Sequence, residues 1–142
     1  MAKVILDTDL YIDWINAGLH QDIVLAHPVV RTMSTIVLME LRAGAHTQRD
    51  QRLVQRLHDV FLRTGRLLAP SARTFWEAGR VLMRLQRDQG IELRKATRLM
   101  NDVLIAPSSL DIGAAVLTRN AMDFQMIRRV RGFDLKIIST TT

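Results

Sequence analysis

Four acids of this 142-residue chain sit in unusually apolar stretches. Asp7 follows the strand-like run Val4, Ile5, Leu6. Glu40 lies in "IVLMELRAG", with Val37, Leu38, Met39 and Leu41 around it and Gly44 instead of a cation one turn ahead. Asp102 lies in "LMNDVLIA", and Asp123 in "TRNAMDF" just after an apolar run at 114–118. Taken singly, each has an ordinary explanation. Asp7 can itself be a cap or turn residue, or Thr8 or Asp9 can cap the helix that follows, and Glu40 can face outward. Asp102 can pair with Arg98 four residues back, and Asn120 and Asp123 match a capping box. Taken together, they fit one site. Carboxylates about 5 Å apart repel by about 3 kcal/mol per pair at an effective dielectric of about 20. Such a cluster persists only when protons or cations neutralise it. Hard oxygen ligands select Mg²⁺ or Mn²⁺, and such ions activate water for phosphodiester hydrolysis.

The charge of the chain suits that chemistry. Lys and Arg number 20 against 14 acids, a net charge of +6, and 17 of the basic residues are Arg. The planar fork of Arg is built for phosphate, and a basic surface attracts nucleic acid, an anionic membrane or an acidic protein. Arg73, Arg80, Arg84 and Arg87 share one helical face, either contacting RNA or solvated near Glu77 and Asp88. Arg42, Arg80, Arg84 and Arg119 are the candidate RNA contacts.

Other chemistries are excluded. There is no Cys, hence no disulfide, Cys-ligated zinc or thiol nucleophile, which agrees with a reducing compartment. No Gly-rich phosphate loop, G-x-S-x-G or H-E-x-x-H occurs. His20, His27, His46 and His58 lack ligand spacing and read as structural or surface residues. Trp14, Trp76 and the methionines read as core or interface fillers. Without an apolar run long enough to span a membrane or a secretory leader, the expected location is the cytoplasm.

The elements that must position the acids alternate between strand and helix. Val4–Leu6 is a strand, and a helix around Leu10–Ala17 stops at Gly18. "VVRTMS" is a strand leading into the helix "STIVLMELRAG", capped near Ser34 or Thr35 and closed at Gly44. Leu53, Val54, Leu57, Val60 and Phe61 recur at helical spacing up to Gly65, and "RLLAP" is a short strand. Ser71 caps a long helix to about Gln89, with Phe75, Ala78, Leu82 and Leu85 on one face. "RLMNDVLIA" is a helix that Pro107 should kink or break. "AAVLT" is a strand, "NAMDFQMIRRV" a short helix and "LKIIS" a last strand. Strands separated by helices imply parallel crossovers and a sheet covered on both faces. With no repeat or low-complexity linker, residues 1–142 read as one domain.

The stretches "ILDTDLYIDWI", "STIVLMELRAG", "NDVLIA" and "GAAVLTRNAMDF" resemble, in order and spacing, the PIN-domain ribonucleases, most closely the VapC-like toxins of toxin–antitoxin pairs. The resemblance extends over nearly the whole chain. It implies an α/β three-layer sandwich with a central parallel sheet flanked by helices. It also implies Mg²⁺ or Mn²⁺, endonucleolytic RNA cleavage, a homodimer and a cognate antitoxin that blocks the site. The family pattern puts metal-binding acids at Asp7, Glu40 and Asp102, with Thr8 and Asp9 as polar support. The fourth position varies between Asn120 and Asp123; our reading gives the charge to Asp123 and polar support to Thr118 and Asn120. Pro107 departs from the small residue expected after "IA". Two rival readings stand beside this one. The same fold could serve as a nucleic-acid- or antitoxin-binding module without turnover. "LDTDLY" also resembles the opening of haloacid-dehalogenase-type phosphatases, but Tyr11 holds the position of their Thr or Val, and no late paired-Asp motif follows.

Overall fold

The computed structural model describes residues 2–25 and 28–139, apart from the side chains of residues 93, 97 and 98. His27 and the Arg98 partner considered for Asp102 therefore lie outside the described residues. The chain runs β1 (Lys3–Leu6), α1 (Thr8–Ala17), α2 (Gln21–Leu25), β2 (Val30–Ser34), α3 (Thr35–Gly44), α4 (Gln48–Arg63) and β3 (Leu67–Leu68). It continues through α5 (Ala72–Gln89), α6 (Leu93–Arg98), α7 (Met100–Ile112), β4 (Ala115–Thr118), α8 (Ala121–Val130) and β5 (Leu135–Ile137).

The strands form one parallel sheet in the order β3-β2-β1-β4-β5. Val4, Ile5 and Leu6 pair with Ala115, Val116 and Leu117, and all but Ala115 are buried. This is why the central strands read as unbroken apolar runs, without alternation. The chain winds outward from β1 to β3, then crosses back to β4 and winds the other way. Right-handed crossovers then place α1–α4 on one face and α5–α8 on the other. The packing agrees: α1 rests on α2 and α3, and α3 on α4, while α5 rests on α6, α7 and α8. The sheet, flanked by helices on both faces, is the expected α/β architecture. Among the described residues no helix is long and apolar enough to cross a membrane.

Local signals explain most boundaries. Ser34, Ser71 and Asn120 cap α3, α5 and α8 by accepting from the N–H groups of Ile36, Thr74 and Asp123. Gly18 ends α1 and Gly113 ends α7 in the left-handed conformation that a side chain disfavours. Two expectations need correction, and other boundaries become explicit only in the fold. Of the cap positions considered for α1, the structure uses Asp7, because Asp7 keeps the extended backbone of β1 while its carboxylate accepts from the Thr8 N–H. The buried stripe of α5 is Thr74, Ala78, Val81 and Leu85; Phe75 is 55% exposed and Trp76 84% exposed, so neither fills the core. The short helices α2 and α6 had no clear signal in the sequence. Finally, Pro107 does not break α7, which continues to Ile112. The ring is buried, α7 packs against α5, β1 and β4, and the Ser108 and Ser109 hydroxyls donate to the carbonyls of Leu104 and Ala106. Packing on three sides overrides the intrinsic preference of one residue.

Candidate active site

The order of strands reverses between β1 and β4, and at such a switch point the loops leave in opposite directions and open a crevice at the carboxyl edge. Asp7 and Thr118 stand on either side of it. The Asp7 N–H donates to the Leu117 carbonyl at 2.8 Å, extending the β1–β4 ladder to the strand ends. One Asp7 carboxylate oxygen accepts from the Thr8 N–H at 2.8 Å, and the other from the Thr118 hydroxyl at 2.8 Å. The same hydroxyl lies 3.2 Å from Asp9 Oδ2 and accepts from the Asn120 N–H at 3.0 Å. Asp9 Oδ2 also accepts from the Arg119 N–H at 3.1 Å, while its Oδ1 is buried with no hydrogen-bond partner among the described residues. Glu40 enters from α3, where its Oε1 accepts from the Thr8 hydroxyl at 2.9 Å.

Asp102, on α7, makes no hydrogen bond or ion pair among the described residues. The contact between α3 and α7, one helix from each layer, brings it over the same edge as Glu40. Asn120 both caps α8 and donates through Nδ2 to Asp123 Oδ2 at 3.0 Å. The capping geometry is therefore real, and Asp123 still bears electrostatically on Asp102.

The electrostatics record how closely the acids are gathered. Burial pushes the Asp7 carboxyl up to about 7, Asp9 and then Glu40 add to the rise, and the hydrogen bonds from Thr118 and Thr8 oppose it. Burial pushes Asp102 up to about 8, aided in turn by Asp7, Glu40, Asp123 and Asp9. Asp9 is also raised by burial, against the bonds from Arg119 and Thr118. Thr118 has one proton for two carboxylates, so one of the pair lacks its hydrogen bond unless a carboxyl carries its own proton.

Among the described residues no three His, Asp or Glu side chains form a finished metal cage. Mg²⁺ keeps several of its waters, so some carboxylates of such a cluster would hold it through water and not directly. The all-oxygen donor set, the orphaned Asp9 Oδ1 and the proton-hungry pair Asp7 and Asp102 fit a hard divalent ion.

The candidate RNA contacts fall in different places. Arg119 adjoins the acids. Its guanidinium pairs with Asp13 at 3.0 Å, and Asp13 also bonds His20. Arg80 and Arg84 lie on α5, bonded to Glu77 and Asp88 of the same helix. Arg42 lines a groove between α3 and α4 of about 840 Å³, with His58, Gln51 and Gln55. Asp13 and His20 were not foreseen as part of the site. Asp13 lies one turn beyond Asp9 on α1, a spacing that could have drawn attention; His20 had no such signal.

Both raised carboxyls bind a proton more tightly in the fold than in the unfolded chain. Their contribution to stability is full below their ordinary value of 3.8 and is lost as pH rises through about 7 and then 8. For the metal-free chain, urea unfolding should show stability lower by at least ~1 kcal/mol at about pH 8.5 than at about pH 5.5. Asp102→Asn should flatten that difference; equal slopes for both proteins would contradict the clustering.

No family model matches the chain, and no curated protein matches it. Solved structures do. A chain of VapBC2 from Rickettsia felis, bound to a DNA fragment from their promoter, is 24% identical with a TM-score of 0.69, over 96% of this chain and 99% of that one. DNA-bound VapBC from Salmonella typhimurium gives 21% and 0.67, over 96% and 98%. VapBC-5 from Mycobacterium tuberculosis, a member of the VapBC family of toxin–antitoxin systems, gives 21% and 0.52, over 97% and 98%. At these identities the likeness is one of fold: this chain shares the fold of the chains it matches in those VapBC structures.

Proposed function

We propose that this chain is a Mg²⁺- or Mn²⁺-dependent endoribonuclease, the toxin of a toxin–antitoxin pair, checked by a cognate antitoxin. The observation that carries this reading is the gathering of acids from the β1–α1 junction, α1, α3, α7 and α8 at one switch point, where burial and the neighbouring carboxylates raise the proton affinity of Asp7 and Asp102. Asp7, Glu40, Asp102 and Asp123 are the proposed metal ligands and catalytic acids. Mg²⁺ or Mn²⁺ bound there supplies Lewis-acid polarisation of a phosphoryl oxygen and an acidified water. The chain's own part is to hold the carboxylates. Thr118 and the Thr8 N–H fix the two oxygens of Asp7, the Thr8 hydroxyl fixes Glu40, and Asn120 fixes Asp123. Arg119 stands beside them to meet the RNA backbone.

A second groove supports the protein partner. Between α1, α2 and α4 lies a cavity of about 450 Å³, lined by Tyr11, Trp14, Val24, Leu57 and Phe61, with Arg56 and Arg66 also on its wall. The Tyr11 hydroxyl is buried with no hydrogen-bond partner among the described residues. An antitoxin segment with apolar side chains and a carboxylate fits this lining: the apolar groups fill the cavity, and the carboxylate meets the phenol and guanidinium donors. A homodimer belongs to the same proposal, with the exposed Phe75, Trp76 and Met83 of α5 as an apolar surface for a second copy.

Purified protein should cleave RNA with Mg²⁺ or Mn²⁺ and not with EDTA, and folded Asp7→Asn or Asp102→Asn should lose about a hundredfold or more in rate. Cleavage undiminished by chelation, or wild-type turnover in folded Asp7→Asn, refutes the mechanism. Phosphate release from small monoesters, with an adduct on Asp7, would instead mark a phosphatase.

Tyr11→Phe removes an unsatisfied buried hydroxyl. The free chain should be unchanged or up to ~1 kcal/mol more stable to urea, while the antitoxin from the adjoining reading frame dissociates faster. Unchanged dissociation removes this groove from the interface.

Sedimentation velocity should give a dimer that Trp76→Asp converts to monomer. A monomeric parent removes the dimer from the proposal.

A further inference from the structure

Beside the acidic site lies a cluster that the metal chemistry does not use. Asp13 Oδ2 lies 2.9 Å from His20 Nε2 and 3.0 Å from Arg119 Nε, and Asp13 Oδ1 lies 3.4 Å from Arg119 Nη2. The carboxylate therefore takes the Nε/Nη2 edge of the guanidinium, leaving the Nη1 donors and one Nη2 donor uncommitted. The Arg119 side chain is 43% exposed, whereas that of His20 is only 4% exposed. The backbone of His20 is held at φ 59°, the one described non-glycine residue with positive φ. A side chain there is strained and persists where the surroundings hold it in place. The Arg119 main chain is fixed as well, through its N–H bond to Asp9.

We propose that His20, Asp13 and Arg119 form a phosphate clamp: Arg119 grips a backbone phosphate of the RNA beside the acidic cleft, and Asp13, braced by His20, aims its guanidinium. Asp13 and His20 are positioning residues and touch no substrate. The proposal rests on the nuclease reading and adds to it a fixed point for the RNA strand outside the metal ligands. It also explains why an acid stands so close to a surface meant for a polyanion. An arginine without that partner would spread over many rotamers, and ordering it would fall to the RNA.

Simple charge and the clamp predict opposite signs for one variant. Asp13→Asn raises the net charge by one, so general attraction alone would tighten RNA binding; the clamp predicts weaker binding. The assay is fluorescence anisotropy of a labelled oligouridine across a salt series, in an Asp7→Asn background with Mg²⁺ so that the strand survives. Arg119→Gln should weaken binding roughly five- to tenfold and reduce the slope of log K against log salt by ~0.7, the loss of one single-strand phosphate contact. Asp13→Asn should weaken binding about threefold or more, and should add nothing to Arg119→Gln. His20→Gly keeps the left-handed backbone without strain and should behave like Asp13→Asn. Arg119→Lys, at an exposed position where folding is not at risk, keeps the charge but lacks the fork. It should bind less tightly than the parent however the Asp13 variants fold. Parental affinity in Arg119→Lys, or equal or tighter binding in folded Asp13→Asn or His20→Gly, overturns the clamp while the nuclease reading stands. A chain that binds no RNA at any salt, with Asp7 intact as well as with Asp7→Asn, overturns both.

Discussion

One threonine hydroxyl, with a single proton to give, holds the acidic centre together. Thr118 lies 2.8 Å from Asp7 and 3.2 Å from Asp9, and its oxygen accepts the Asn120 N–H. That atom joins the end of β1, the first turn of α1 and the start of the β4–α8 connection. It does so only because β1 and β4 are neighbours, which follows from the reversal of strand order. Had the chain continued outward from β3, Thr118 would stand at a sheet edge, away from Asp7.

Two carboxylates around one proton are a strained arrangement. Burial withholds the water that would otherwise separate them, and each raises the proton affinity of its neighbours. The fold can carry this because the strain is confined to the carboxyl edge. Immediately beneath it, Ile5, Leu6, Val116 and Leu117 are packed between the two helical layers, and Phe124 meets Phe133 edge to face. A stable centre of this kind tolerates a destabilised rim.

The basic residues are arranged differently from the acids. Arg80 with Glu77, and Arg84 with Asp88, form exposed pairs on α5 that contribute little to stability. Arg119 is the one candidate RNA contact whose backbone and side chain are both tied to acids of α1. Charge segregation thus operates at two ranges. A diffuse excess of arginine covers the surface, and the oriented guanidinium of Arg119 stands next to the concentrated negative charge.

Much of the fold was legible because its signals are local. Unbroken apolar runs marked the buried parallel strands, and Ser34, Ser71 and Asn120 marked helix starts through side chains that satisfy nearby N–H groups. The four acids were legible because carboxylates in apolar surroundings conflict with burial. Other features depend on what packs against them. The phase of α5 was misread because Phe75 is as apolar as Val81, and only the neighbouring helices select which one faces inward. Pro107 should stop an isolated helix, yet packing on several sides carries α7 through it. The pairing of Asp13 with His20 and Arg119 joins residues up to 106 positions apart, and no periodicity links them. The sequence by itself determined the strands, the caps and the residue types able to hold a divalent ion, since these follow from near-neighbour hydrogen bonding and from the conflict between charge and burial. Only the tertiary structure decided that β1 would lie against β4, that one hydroxyl would serve two carboxylates, and which arginine would be aimed. Those outcomes depend on strand order and long-range packing, which no local preference encodes.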